Sequence, residues 1–181
     1  MNIRTDEELE EHFARIGKAH WLNFDEYANK KIKAYVEKTS PHLLSSKGQD
    51  ILDIGPGPGH YSYFLKKRKH NVSGIDRKIL DKTMACYSYL SKKYDLGHIY
   101  EGIESFADKK NFGFNKKFNV INIRGALGPV LVSVKNKYAE DGIGIFFKQL
   151  ANSLIDNSAC VILSVDERQL KNCLAHIEGQ G

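Results

Sequence analysis

Cysteine is scarce in this sequence. Cys86, Cys160 and Cys173 are odd in number, form no CxxC pair and have no histidine nearby at zinc-ligand spacing. A disulfide framework and a zinc site are thereby excluded, and buried or idle thiols are expected. No apolar run approaches the roughly 20 residues that cross a bilayer, and the opening MNIRTDEELEEHF is too acidic for a signal peptide. The expectation is a cytoplasmic protein with no membrane association. Internal repeats, low-complexity tracts and linkers are also missing, so 181 residues suggest one compact domain. The aromatic signature of RNA readers is absent too. The net charge of +5 comes from scattered clusters such as Lys66 to Lys69 and Lys109 with Lys110. Spread in this way they describe solvated faces, although a basic domain keeps nucleic acid among the partners to be tested.

What is present is a change of pattern near residue 49. Before it the chain reads as helical: Thr5 and Glu8 form a capping box ahead of Leu9, Phe13 and Ile16. Phe24, Ala28, Ile32, Tyr35 and Val36 then mark a second helix that Ser40-Pro41 ends. Beyond it, short apolar runs alternate with helical stretches, the signature of a parallel sheet covered on both faces. Strands are predicted at Asp50 to Ile54, Asn71 to Ile75, His98 to Tyr100, Phe118 to Ile123 and Ala159 to Val165. Helices are predicted at His60 to Lys69, Leu80 to Tyr94, Gly142 to Ile155 and Glu167 to Ile177. This divides the chain into an N-terminal helical cap, 1–48, and a doubly wound α/β core, 49–181.

The chemistry concentrates in Asp53-Ile54-Gly55-Pro56-Gly57-Pro58-Gly59-His60, an apolar strand ending in an acid, a glycine-rich turn and a helix start. Glycine permits a tight turn and a close ligand, and the helix that follows opens with unpaired N–H groups. Ligands of open parallel sheets sit at this end of the strands. Asp76, seventeen residues after Gly59 at the end of the second strand, is near the position where doubly wound folds put an acid for ribose hydroxyls. The nicotinamide pattern GxGxxG fits less well, because its last glycine falls on His60.

These residues resemble the first motif of class I S-adenosylmethionine-dependent methyltransferases, an acid followed by GxGxG, over roughly 49–178. The resemblance implies a sheet of order 3-2-1-4-5 and S-adenosylmethionine as cofactor. It implies that Gly55 and Gly57 face methionine and ribose, while Asp76 holds the ribose hydroxyls. The implied cofactor set is Asp53, Gly55, Pro56, Gly57, Gly59, Asp76, Arg77, Ile103, Glu104 and Asn122, with Glu104 favoured as the polar contact to adenine. The fourth strand leads into Arg124-Gly125-Ala126-Leu127-Gly128-Pro129 and lacks the Asn/Asp-Pro-Pro-Tyr pattern of amino-group methylation. A small-molecule acceptor is therefore expected, met by the N-terminal helices and a loop after the fourth strand. A non-catalytic binding module and an RNA methyltransferase stay open as alternatives. The family's terminal antiparallel hairpin is missing from the sequence, so the apolar fifth strand is expected to be covered by further chain or by self-association as a homodimer.

Methyl transfer needs alignment first, and a base only when the acceptor must lose a proton. His20, His60 and Arg124 are the weak catalytic candidates. Their plainer roles are packing against Trp21, capping the helix after the loop, and pairing with a surface acid, respectively. Dispersed lysines predict weak nucleic-acid binding that falls steeply with salt. Fluorescence titration of a short RNA at two salt concentrations checks this, and nanomolar sequence-selective binding at physiological salt would contradict it.

Overall fold

The structure, a computed structural model, describes residues 3–155 and 159–164. The helix expected at Glu167 to Ile177, together with Val165 and Cys173, lies outside the described residues. Among the described residues five parallel strands form one sheet in the order β3-β2-β1-β4-β5, as the resemblance implied. They are β1 (Asp50–Ile54), β2 (Asn71–Ile75), β3 (His98–Ile99), β4 (Val120–Arg124) and β5 (Cys160–Ser164). Leu52 lies beside Ser73 on one side and Ile121 on the other, and Ile121 lies beside Val161. β4 begins two residues later than expected, with Phe118 making an isolated bridge to Leu154. Among the described residues nothing pairs with the outer edge of β5.

Strand alternation divides the apolar side chains between two layers. Leu52, Ile54, Ile75, Ile121 and Ile123 pack under α7 (Leu127–Tyr138) and α8 (Gly142–Asn152). Ile51, Val72, Val120 and Ile162 face α5 (His60–Lys67) and the N-terminal helices. Those helices begin with α1 (Asp6–Arg15), where Thr5 Oγ1 accepts from the Glu8 N–H as expected of the cap. The Glu8 carboxylate returns to the Arg4 N–H instead of to Thr5. Leu9 and Phe13 are buried, whereas Ile16, at the helix end, is exposed. The second predicted helix runs as α2 (Phe24–Tyr27), a π-helical turn (Ala28–Ile32) and α3 (Lys33–Thr39). It buries Ala28, Ile32 and Val36 on one stripe and stops before Pro41, completed by a short α4 (His42–Ser45). The remaining crossover, α6 (Lys82–Lys93), is capped by Asp81, whose Oδ1 accepts from the Met84 N–H; Leu80, expected inside it, is exposed.

One correction concerns the segment after β4, expected as a loop. It is the helix α7, burying Leu127, Val130, Leu131 and Val134 at helical spacing. Gly128, Pro129 and three valines disguise it as a turn and a strand. Proline is tolerated in the first turn because its missing N–H has no intrahelical partner there.

The two helices over this layer approach closely at Gly142. A Cβ there would lie 2.6 Å from the Val134 carbonyl oxygen, while Gly144 faces open space. Gly142→Ala is therefore expected to cost about 1 to 3 kcal/mol by overpacking. Gly144→Ala should instead stabilise by up to about 1 kcal/mol through helix propensity. Urea denaturation of the two variants checks the contrast.

Candidate functional site

The glycine-rich turn leaves β1 at its carboxyl end, and its glycines serve different needs. At Gly55 (φ +71°) a Cβ would lie 2.3 Å from that of Ala126, so the turn lies hard against the start of α7. At Gly57 (φ +57°) the nearest atom to a Cβ would be Tyr87 Cε2 at 3.9 Å, so the face beside it is open. Gly59 is the left-handed N-cap of α5, packed under Leu96. The turn is tied across the sheet: Gly55 donates its N–H to Ile75 O at 2.9 Å, and Gly57 donates to Asp76 Oδ2 at 3.0 Å. Asp76 Oδ1 accepts from the Arg77 N–H at 2.8 Å. Burial raises the Asp76 pKa above the usual aspartate value, against the pull of these two N–H groups and Arg77.

Two clefts open on either side of the turn and share Gly55. The larger, about 270 Å³, is lined by Trp21, Tyr27, Asp53, Gly55, Pro56, Gly57, Pro58, His60, Tyr61, Tyr87, Asn122, Arg124 and Gly125. The smaller, about 70 Å³, is lined by Gly55, Ile75, Asp76, Arg77, Ile103, Ala126, Pro129, Val130 and Ser133. Of the expected residues, Asp53, Pro56, Gly57, His60, Asn122 and Arg124 thus meet on one side, and Asp76, Arg77 and Ile103 on the other. Gly59 and Glu104 line neither. The Glu104 carboxylate folds over Gly102, and its carbonyl accepts from Lys137 Nζ at 2.8 Å and Tyr138 Oη at 3.0 Å. The Arg77 side chain pairs with Asp81 at 3.2 Å on the exposed loop after β2.

Beneath the larger cleft Asp53 is buried. Its Oδ1 accepts from Asn122 Nδ2 at 2.8 Å and its Oδ2 from the Ser62 hydroxyl at 3.0 Å. Asn122 Oδ1 in turn accepts from the Tyr35 hydroxyl at 2.9 Å. On the other side, Ser62 Oγ lies 2.9 Å from His98 Nε2. Because Ser62 donates to Asp53, His98 must donate to Ser62, which makes Nε2 the protonated nitrogen. Burial pushes the Asp53 pKa up to about 6, despite these donors and Arg124. It also pushes His98 down to about 3, so His98 is neutral.

Two of the three catalytic candidates, His60 and Arg124, line the larger cleft, and His20 does not. His60 is the first residue of α5 and does not cap it; Nε2 lies 2.7 Å from the Trp21 carbonyl, and the ring packs on Tyr27 at 4.3 Å and Phe24 at 4.5 Å. Burial first, with Arg124 and His20 nearby, lowers its pKa to about 4, leaving a neutral ring that donates Nε2–H to Trp21. Arg124 pairs with no surface acid among the described residues; its guanidinium lies 5.3 Å from the Tyr35 ring. His20 packs edge-on against Trp21 at 6.2 Å, as expected, and stacks on Tyr27 at 5.9 Å outside the cleft. Sequence reasoning missed the aromatic lining of Tyr27, Tyr61 and Tyr87. Ala126, Pro129 and Val130 were missed with α7, whose spacing of Leu127, Val130, Leu131 and Val134 was the available signal.

No protein-family model matches the chain, and no curated protein does. Among solved structures it is similar to a TehB-like S-adenosylmethionine-dependent methyltransferase from Corynebacterium glutamicum. That likeness has a TM-score of 0.51 and 18% identity, covering 88% of this chain and 83% of that one. It is also similar to DesVI of Streptomyces venezuelae, with a TM-score of 0.52 and 14% identity over 82% of this chain and 55% of that one. For a Pyrococcus horikoshii protein the values are 0.50 and 19%, over 83% and 63%. The chain thus spans less than two thirds of these last two. Its fold is that of the class I methyltransferases. Among the described residues no helix is long and apolar enough to cross a membrane.

The buried acid gives stability a definite pH dependence. Asp53 titrates near 3.8 when unfolded and about 6 when folded, so the native state holds the extra proton between those values. Its contribution to stability is present below the lower value and is lost as pH rises through the upper one. The cost at neutral pH is roughly 3 kcal/mol. Urea unfolding from pH 4 to 7 should show this slope, and Asp53→Asn should remove it.

Proposed function

We propose that this chain is an S-adenosylmethionine-dependent methyltransferase acting on a small-molecule acceptor. The observation that carries the reading is the open face of Gly57, on a turn anchored by the Asp76 carboxylate between two clefts that meet at Gly55. A thioether nucleoside needs such a place: backbone against its middle, an acid at the ribose and an apolar slot for the base. Asp76 retains acceptor capacity beyond the two N–H groups it already holds, enough for ribose hydroxyls. Ile103, Ala126, Pro129 and Val130 offer the base an apolar slot, with Arg77 at its mouth. Of the two residues expected there, Ile103 lines the slot and Glu104 does not. Gly55, Pro56 and Gly57 would meet the methionine part, with Asp53 and Asn122 behind them. Gly59 acts through the shape of the turn.

When bound, S-adenosylmethionine supplies a methyl group on a sulfonium whose leaving group is a neutral thioether. The chain's task is then alignment of the acceptor and exclusion of water. Trp21, Tyr27 and Tyr87 support that task by walling the larger cleft.

Calorimetric titration with S-adenosylhomocysteine is expected to give micromolar or tighter binding, and NAD none. Asp76→Ala should weaken it by about 1 to 3 kcal/mol, through lost charge-assisted hydrogen bonds. Gly57→Asn is the sharper variant, because asparagine tolerates the left-handed backbone while its side chain enters the open face. It should abolish binding with the circular dichroism unchanged, and normal binding would remove the turn from the site. Because the Asp76 pKa is raised in the free protein, acidification should weaken binding at a higher pH than an ordinary aspartate would.

A further inference from the structure

Resting on the methyltransferase reading, we propose that the acceptor is a small carboxylate with a flat apolar body, held by Arg124 against the aromatic wall of the larger cleft. Arg124 extends from the end of β4 into that cleft, half-buried. Its guanidinium rests over Tyr35, whose hydroxyl is fixed by Asn122, which is fixed in turn by Asp53. The cation is therefore held in place before any ligand arrives. Asp53 is the acid lining the same cleft, but both its oxygens are engaged by Asn122 and Ser62, and it makes no ion pair with Arg124. A planar fork of donors in a partly desolvated cleft matches a carboxylate.

The remaining walls narrow the choice. Trp21, Tyr27 and Tyr87 present aromatic surface, on which a flat apolar body packs and a strongly hydrated chain does not. The cleft of about 270 Å³ falls near the low end for ligand sites and must also take the methionine part of the cofactor, which restricts the acceptor to a small molecule. The carboxylate also offsets the positive charge that a sulfonium adds beside Arg124.

The step balances without a base. A carboxylate oxygen lone pair forms the new O–CH3 bond as the S–CH3 bond breaks, and the pair from the broken bond remains on sulfur. Negative oxygen and positive sulfur become a neutral methyl ester and a neutral thioether. No proton leaves, which suits a cleft whose histidine, His60, is committed to the Trp21 carbonyl and buried among rings.

The test uses the full chain, with and without S-adenosylhomocysteine, titrated calorimetrically with benzoate, benzamide and benzylamine. Benzoate should bind at least about tenfold tighter than benzamide, the difference expected of a charge-assisted pair, and benzylamine should not bind. Arg124→Gln should remove the benzoate preference, Arg124→Lys should restore part of it, and S-adenosylhomocysteine should bind both variants as it binds the parent. Equal binding of benzoate and benzamide, or a preference that survives Arg124→Gln, would overturn the proposal. So would loss of S-adenosylhomocysteine affinity in Arg124→Gln with 5′-methylthioadenosine unaffected, since Arg124 would then grip the cofactor's own carboxylate. If benzoate binds through Arg124 while S-adenosylhomocysteine does not bind, the anion site stands and the methyltransferase reading falls.

Discussion

A carboxylate with almost no access to water, Asp53, sits where the sheet, α5 and the N-terminal helices meet. An isolated charge there would cost far more than a domain can spare, so the surroundings must supply donors. They come from three directions: Asn122 from the neighbouring strand, Ser62 from the helix above, and Tyr35 through Asn122. Each donor constrains the element that carries it. Asn122 is the register partner of Asp53, so the pairing of β1 with β4 places it; Ser62 fixes the rotation of α5 over the sheet. The hydroxyl of Tyr35 draws α3 across the open end of β4, and the ring beneath Arg124 is thereby positioned. A buried network of this kind is stabilising only when it is complete, which links the geometry of the cleft to the integrity of the core.

The glycine-rich turn depends on a second carboxylate with a different environment. Asp76 holds the Gly57 N–H from the adjacent strand and lies at the edge of the cleft, where capacity for further donors is useful. The two acids end neighbouring strands and lean to opposite purposes. One has both oxygens held by side-chain donors, the other is held only by two backbone N–H groups. Burial raises both pKa values, but only Asp53 has side-chain donors on both oxygens.

The N-terminal helices contribute rings. Trp21 and Tyr27 reach the cleft from that region, and the His60 ring between Tyr27 and Phe24 joins them to the first turn of α5. Such contacts are specific because stacked and edge-on rings have preferred geometries, each worth about 0.5 to 1.5 kcal/mol beyond their area. His60, one position beyond the glycine-rich turn, packs its ring between Tyr27 and Phe24 and donates one hydrogen bond to the Trp21 carbonyl.

The sequence by itself determined where the strands lie, the glycine turn, the capped first helix and the position of Asp76, because these rest on local rules, whereas the strand order came from the family resemblance. Periodicity, caps and turn residues act over a few neighbours, and the acid–glycine spacing is read along one βαβ unit. Tertiary structure decided what depends on distant partners. Asp53 and Asn122 are separated by 69 positions and meet only through sheet register. Ile103 rather than Glu104 lines the slot because the loop after β3 turns the carboxylate over Gly102. Valine-rich α7 became a helix because its buried stripe had α8 and the sheet to pack against, an energy of burial that outweighs the local preference of its residues for extended backbone.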